Sequence, residues 1–159
     1  MHDELLDTAR RLARAEGDGE PTPTDLRRAV STVYYALFHF ISERCVSFLL
    51  GSSAKSLTRA RMQAYRSLDH RDIEVACVKA QEPQHQFPPE IKAFAAVFVT
   101  MRKHRERADY DPGAGGAFKR PHVQHLIGQC GIAIANYRAA DEDDQRAFAI
   151  LAITKAKGR

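Results

Sequence analysis

The chain has 159 residues, of which 44% are hydrophobic, 28% charged and 8% aromatic, and its formal net charge is +4. These values exclude a chain that is disordered throughout, a fibrous protein and a disulfide-rich mini-protein, and the length is too short for a protein kinase, a TIM barrel or a two-domain dehydrogenase. They predict one folded domain over 1–159, with a disordered tail at 155–159. The small positive excess permits a polyanionic partner without requiring one.

The cysteines and the N-terminus bear on the cellular compartment. Cys45, Cys77 and Cys130 lie far apart in apolar stretches and form no CxxC pair, which is typical of reduced, buried thiols in a cytosolic protein. The first residues are charged, unlike a signal peptide. The longest apolar stretch, 30–50, is interrupted by a histidine and two charged residues. We therefore expect a cytoplasmic protein that does not contact a membrane.

The first half of the chain is predicted to be helical because its apolar residues recur with the helical period. A first helix over 5–13 ends at the Gly- and Pro-containing segment 16–24, and Thr24 is predicted to cap the second helix. That second helix, from Leu26 to Phe48, is apolar over a wide arc. Such a helix is expected to be contacted on several sides.

The middle of the chain contains shorter elements. A turn at 51–56 precedes two helices, over 57–68 and about 72–80, and a loop follows at 81–89. Pro89 then suits the first turn of a longer helix. That helix places one apolar face toward the core, formed by Ile91, Phe94, Ala95, Phe98 and Met101.

The long helix is predicted to end within 109–118, where Asp, Pro and Gly stop it. Pro121 opens another helix, and the acidic run 140–144 forms a hinge or a cap before the last one. No strand alternation lasts more than a few residues. The fold is therefore predicted to be an all-α bundle of five to seven helices.

Four features resemble functional motifs but favour structural explanations. The triplet at 70–72 spells the kinase sequence HRD in a chain too short for a kinase. The glycine-rich 113–119 lacks the ending of a phosphate-binding loop, and the carboxylates of 141–144 suit a helix start. His122 and His125 are one turn apart without a third ligand at metal spacing. We predict no metal site and no cofactor.

The most informative stretch is 101–112, where four cations and a histidine crowd a helix end. The simple explanation is a cationic last turn that complements the helix dipole. However, the apolar stripe of this helix continues with a step of four onto Arg105, so its guanidinium is predicted to face inward. Asp109 lies on the same face and can pair with it. The spacing is compatible both with a structural ion pair and with a phosphate clamp.

Two segments together resemble a known family. LRRAVSTVYYALFHFISE at 26–43, followed two helices later by R-x-x-A-D-Y-D-P at 105–112, is similar to the HEPN domain, a small bacterial and archaeal helical bundle. The likeness covers about 5–151 and implies a HEPN-like up-and-down bundle that forms a homodimer around a shared polar cleft. Many HEPN proteins are metal-independent endoribonuclease toxins encoded beside a nucleotidyltransferase antitoxin. Others bind nucleotides, RNA or protein partners.

The sequence departs from the pattern of the ribonuclease members at one position. In those members an Arg is followed, after four to six residues, by a His; the Arg holds the scissile phosphate and the His moves protons. Arg105 fits the first role. Four residues further on, the next position holds Tyr110 instead of His. A tyrosine is a poor base at neutral pH, but it can donate a hydrogen bond or stack on a nucleobase.

Four other side chains are further candidates for the same site. His104 is next to Arg105 in sequence but points to another part of the helix surface, and His70 is the other candidate proton carrier. Tyr35 and His39 are one turn apart, which favours core packing, with a second wall of the cleft as the alternative. The candidate catalytic residues are Arg105, Tyr110 and His104. The candidate ligand-binding residues are Arg102, Arg105, Asp109, Tyr110, Tyr35, His39 and His70.

Three functions remain open from the sequence. The first is a dimeric HEPN-type protein that binds RNA or a nucleotide with weak or no ribonuclease activity. The second is an active ribonuclease toxin that uses His104 or His70 as the proton carrier. The third is a non-catalytic interaction scaffold, in which the pair of Arg105 and Asp109 only holds the bundle together.

Overall fold

The computed structural model describes residues 1–14, 19–51 and 58–154, and these ranges contain seven α-helices and no strand. Short 3-10 turns at Pro83–His85 and Pro112–Gly116 precede the fifth and sixth helices. The prediction of an all-α bundle with five to seven helices is confirmed, while the tail at 155–159 and most of the turn at 51–56 lie outside the described residues. The helices are α1 (His2–Arg14), α2 (Pro23–Leu50), α3 (Thr58–Ser67), α4 (His70–Ala80), α5 (Pro89–Tyr110), α6 (Arg120–Ala139) and α7 (Glu142–Ile153).

The start of α2 is set by a capping box. The Thr22 hydroxyl accepts a hydrogen bond from the Asp25 backbone N–H at 3.1 Å, and the Asp25 carboxylate accepts one from the Thr22 backbone N–H at 3.1 Å. The predicted cap, Thr24, is therefore wrong, since Thr24 lies within the first turn. The reciprocal bonds require a three-residue spacing to an acidic side chain, and Thr22 has that spacing while Thr24 does not.

Aspartates fix the starts of two further helices. Asp69 accepts a hydrogen bond from the Asp72 backbone N–H at 2.7 Å, so α4 begins at His70, two residues before the predicted start. Asp141 accepts from the Asp143 backbone N–H at 2.9 Å and caps α7. Of the two alternatives for the acidic run at 140–144, the structure shows the cap.

The core is organised around α2, which packs against α1, α3, α5, α6 and α7. Aromatic rings connect these helices: the ring centroids are 5.8 Å apart for Phe40 and Phe94, 5.0 Å for Phe94 and Tyr137, and 5.7 Å for Tyr137 and Phe148. Tilted and edge-on contacts of this kind are the favoured geometry of aromatic pairs. The prediction that α2 is contacted on several sides is confirmed.

The three cysteine side chains are free thiols in this core. Cys45, Cys77 and Cys130 are all buried. Burial raises the pKa of the Cys45 and Cys130 thiols to about 12, because the apolar surroundings disfavour the thiolate. Thiols held in this form are poor nucleophiles and serve as packing groups.

Among the described helices, α2 alone has the length and apolar composition of a membrane span. Within the bundle, 56% of that apolar stretch is buried. A core helix contacted on several sides is expected to have this composition.

Candidate functional site

Arg105 lies near the end of α5 and points toward α2. Its side chain is only 17% exposed. Its Nε lies 2.7 Å from Oδ2 of Asp109, and its Nη2 donates a hydrogen bond to the Tyr35 hydroxyl at 2.9 Å. Both the inward orientation and the ion pair expected from the spacing are present.

Three tyrosine rings surround this guanidinium. The Arg105 Cζ atom lies 5.9 Å from the ring centroid of Tyr34, 5.5 Å from that of Tyr35 and 5.3 Å from that of Tyr110. These distances allow cation–π attraction. The Tyr34 ring is buried, whereas Tyr110 is 71% exposed. We call Tyr34, Tyr35, Arg105, Asp109 and Tyr110 the Arg105 site.

The carboxylate of Asp109 is held from a second side. The Ser31 hydroxyl on α2 donates a hydrogen bond to Oδ1 of Asp109, while Oδ2 faces Arg105. The Nε of Arg105 lies only 2.7 Å from Oδ2, so this carboxylate joins the guanidinium of α5 to the Ser31 hydroxyl of α2.

Burial and hydrogen bonding act in opposite directions on the charge of Arg105. Burial disfavours the charged form, but the hydrogen bond to Tyr35 and the charge of Asp109 outweigh it and raise the pKa of the guanidinium. Arg105 is therefore a permanent cation, fixed in place by its surroundings. A group of this kind can hold a phosphate without reorganising.

Arg102, predicted to bind a ligand, is engaged by two carboxylates. It forms an ion pair with Glu74 on α4, and its Nε lies 3.2 Å from Oε1 of Glu106. Its Nη1 also lies 3.5 Å from the backbone oxygen of His70. These contacts tie the start of α4 to α5, so Arg102 holds the position of His70.

His70 is the histidine that the fold brings to the Arg105 site. Its Nδ1 lies 2.8 Å from the Tyr34 hydroxyl, and its ring centroid lies 3.9 Å from that of Phe38 and 5.7 Å from that of Tyr35. Burial lowers the pKa of its imidazole, and the charges of Arg105 and Arg102 lower it further. Because these effects disfavour the imidazolium, His70 is neutral at neutral pH.

The structure places His104 and His39 elsewhere. The His104 ring lies 5.6 Å from that of His122 on α6 and 6.3 Å from that of Phe118. The His39 ring stacks on Tyr65 of α3 at 5.9 Å and is hydrogen-bonded to its hydroxyl. Neither imidazole faces Arg105, because His104 packs toward α6 and His39 packs against α3.

A groove of about 450 Å³ lies beside the Arg105 site, between α1, α2 and the end of α5. Its lining includes Arg27, Arg28, Ser31, Tyr35 and Asp109. The Nε of Arg27 donates a hydrogen bond of 2.6 Å to the backbone oxygen at position 108, where it satisfies a carbonyl near the end of α5. The groove therefore extends the positive and hydroxyl-bearing surface of the site along α2.

Sequence reasoning did not single out Arg27 or Ser31. One signal was available: positions 27, 31 and 35 follow each other at one-turn spacing and share one face of α2. Their relation to Asp109 depends on how α2 packs against α5, which the spacing does not give.

Within the described ranges there is no group of three or more His, Cys, Asp or Glu side chains placed to hold a metal ion. Comparison with protein-family models, with curated proteins and with solved structures found no match for this chain. The resemblance to the HEPN family therefore rests on the two sequence segments at 26–43 and 105–112.

We expect the pKa of His70 to lie below its ordinary value of 6.5 and to rise when Arg105 is replaced by methionine. The substitution removes a positive charge that disfavours the imidazolium, whereas Arg107→Met removes an exposed charge paired with Asp111 and should leave the pKa unchanged. NMR titration of the imidazole C–H signals measures this. A His70 pKa at or above 6.5 in the unsubstituted protein would contradict the description of the site.

The same shift has a consequence for stability. The folded state binds fewer protons at His70 than the unfolded state does between the folded pKa and 6.5. The contribution of His70 to stability is therefore fully present above pH 6.5 and is lost as the pH falls through this window.

Proposed function

We propose that this chain is a HEPN-type dimeric helical protein that binds RNA or a phosphate-containing nucleotide at the Arg105 site. One observation carries the proposal: the Arg105 guanidinium is largely withdrawn from solvent and surrounded by three tyrosine rings, of which that of Tyr110 is exposed. Guanidinium groups match the geometry of phosphate oxygens. Aromatic side chains beside them provide surfaces on which nucleobases stack.

The expected ribonuclease activity is weak or absent. Metal-independent cleavage needs a proton carrier near the phosphate as well as a fixed cation. In the family pattern the carrier is the histidine that follows the arginine, and here Tyr110 occupies that position. Tyr110 is better suited to stacking, since 71% of it is exposed beside Arg105.

The position of His70 supports active cleavage as the second candidate function. In this alternative, Arg105 holds the phosphate while His70, neutral at neutral pH, accepts the proton of the 2′-hydroxyl. The 2′-oxygen then bonds to phosphorus, and the 5′-oxygen leaves and takes a proton from water. The protein would then be the ribonuclease toxin of a HEPN and nucleotidyltransferase pair. The interaction scaffold is the third candidate, because Ser31, Asp109 and Arg105 also join α2 to α5.

Incubation with RNA in the presence of a chelator separates the first two candidates. We expect binding of a fluorescein-labelled single-stranded RNA, weakening as salt rises because phosphate contacts release counterions, with little cleavage. The matched variants are Arg105→Met and His70→Gln. Robust metal-independent cleavage that both substitutions abolish would refute the weak-activity proposal and establish the ribonuclease.

The resemblance also carries a proposal about assembly and location. We expect a cytoplasmic homodimer whose two Arg105 sites face one cleft, with a nucleotidyltransferase antitoxin as a further partner. The exposed ring of Tyr110 supports this, since a shared cleft would cover it. Size-exclusion chromatography with light scattering should give twice the mass of 17.8 kDa. A monomer over a wide concentration range would contradict the shared cleft.

A further inference from the structure

Two arginines from different helices lie over one aromatic ring at the far end of α2. The Cζ atom of Arg44 is 4.9 Å from the Phe48 ring centroid, and the Cζ atom of Arg146 on α7 is 5.9 Å from it. The ring attracts each guanidinium, but the two positive charges repel each other. Their convergence on one ring indicates a place where a negative charge would be stabilised.

Arg44 is fixed there by a buried neutral group. Gln145 is 1% exposed, and its Nε2 donates a hydrogen bond of 2.8 Å to the backbone oxygen of Ala140. This bond orients the amide so that its oxygen accepts from Arg44, at 3.2 Å from Nε and 2.6 Å from Nη2. The amide holds the guanidinium without neutralising it.

A third arginine is bound in the same way. The Nη1 of Arg61 on α3 donates to the backbone oxygen of Gly51 at 2.7 Å, and its Nη2 donates to the Ser47 hydroxyl at 3.2 Å. These partners are neutral. Ser47 and Gly51 also line a pocket of about 260 Å³ between α2 and α7. The other residues that line this pocket are Arg44, Phe48, Glu142 and Arg146. We call the pocket formed by these six residues the Phe48 pocket.

The pocket contains one carboxylate against two arginines, so its lining keeps a net positive charge. Glu142 belongs to the first turn of α7, where the helix dipole favours an acidic side chain. Among the ion pairs of the described residues, Glu142 makes none with Arg44 or Arg146. Arg105, by contrast, is paired with a carboxylate.

We propose that the Phe48 pocket binds a small oxyanion of the phosphate class, either free phosphate or a phosphate monoester. The guanidinium groups of Arg44 and Arg146 would supply charge-assisted hydrogen bonds, and the Ser47 hydroxyl a further donor. An anion between the two arginines relieves their repulsion. A phosphate has enough oxygens to engage both side chains at once.

This pocket is separate from the Arg105 site. Arg44 follows Tyr35 by nine residues, which is about two and a half helical turns and places the two side chains on opposite faces of α2. The proposal therefore does not depend on RNA binding at the Arg105 site. Failure of phosphate binding at the Phe48 pocket would leave the proposed function intact. Failure of RNA binding at the Arg105 site would likewise leave the Phe48 pocket proposal intact.

The test is an NMR titration of the arginine Nε–H signals with inorganic phosphate at constant ionic strength, with a nucleoside monophosphate as the second arm. We expect the Nε–H signal of Arg44 to shift saturably in the unsubstituted protein. In Arg146→Met we expect about tenfold weaker phosphate binding, because one charge-assisted hydrogen bond is lost. Arg146 is exposed, so the variant should fold. Arg138→Met is the matched control, because Arg138 lies 5.3 Å from the Phe40 ring outside the pocket. It should leave binding unchanged.

Two more variants test the charge of the pocket and its independence from the Arg105 site. Glu142→Gln should tighten phosphate binding about threefold, because it removes a like charge from the pocket. Arg105→Met should leave the shifts of Arg44 intact, which separates this pocket from the Arg105 site. Saturation by phosphate but not by the nucleotide identifies free phosphate as the ligand, and saturation by both identifies the phosphate group. Absence of saturable shifts, or equal losses in Arg146→Met and Arg138→Met, would overturn the proposal and leave Arg44 and Arg146 as structural partners of the Phe48 ring.

Discussion

Replacing Arg105 with methionine should weaken the proposed binding of single-stranded RNA by about a hundredfold, because two charge-assisted hydrogen bonds to phosphate would be lost. Methionine retains the apolar stem, so the packing of α5 against α2 is largely preserved. The measurement is the fluorescence anisotropy of a labelled RNA, with circular dichroism to confirm that the variant is folded.

Two further variants show whether the loss is specific to the guanidinium of Arg105. Arg107→Met removes the same charge from the same helix at an exposed position paired with Asp111, and should change the dissociation constant less than about threefold. Arg105→Lys keeps the charge but loses the planar fork, so its affinity should be intermediate. If Arg105→Met binds RNA like the unsubstituted protein while its melting temperature falls, the scaffold explanation is correct and the proposed function is wrong.

Replacing Phe94 with alanine should lower the free energy of unfolding by about 3–5 kcal/mol, the usual cost of truncating a buried phenylalanine. Phe94 is fully buried at the centre of the bundle, and its ring contacts those of Phe40, Phe98 and Tyr137. The substitution leaves a cavity between α2, α5 and α6. Urea denaturation followed by circular dichroism measures the change.

Ile132→Ala is the matched control for this loss of packing. Ile132 lies on α6 and is 64% exposed, so its truncation should change the unfolding free energy by less than about 0.5 kcal/mol. A cost of less than about 1 kcal/mol for Phe94→Ala would mean that the aromatic contacts do not form the centre of the core.

Much of the helical architecture was predictable from local patterns. The apolar period marked the helices, and the wide apolar arc between Leu26 and Phe48 marked α2 as the central one. Helix ends were predicted less well, because capping depends on side-chain geometry over three residues. Thr24 looked like a cap in the sequence, but the bonds between Thr22 and Asp25 fix the start of α2.

Within the candidate site, the sequence by itself determined the interior position of Arg105 and its pairing with Asp109. Both follow from helical spacing, since residues four apart on one helix share a face wherever that helix packs. The resemblance to the HEPN family, and not helical spacing, identified Tyr110 as the residue in the position where the family pattern has a histidine.

Only the tertiary structure decided which side chains from other helices meet Arg105. It brings His70, which is 35 residues away in the chain, to the site, and it turns the adjacent His104 toward α6. It also pairs Arg102 with Glu74 and places Ser31 on Asp109. Contacts between helices depend on the angle and offset at which the helices pack, and these are set by the whole core.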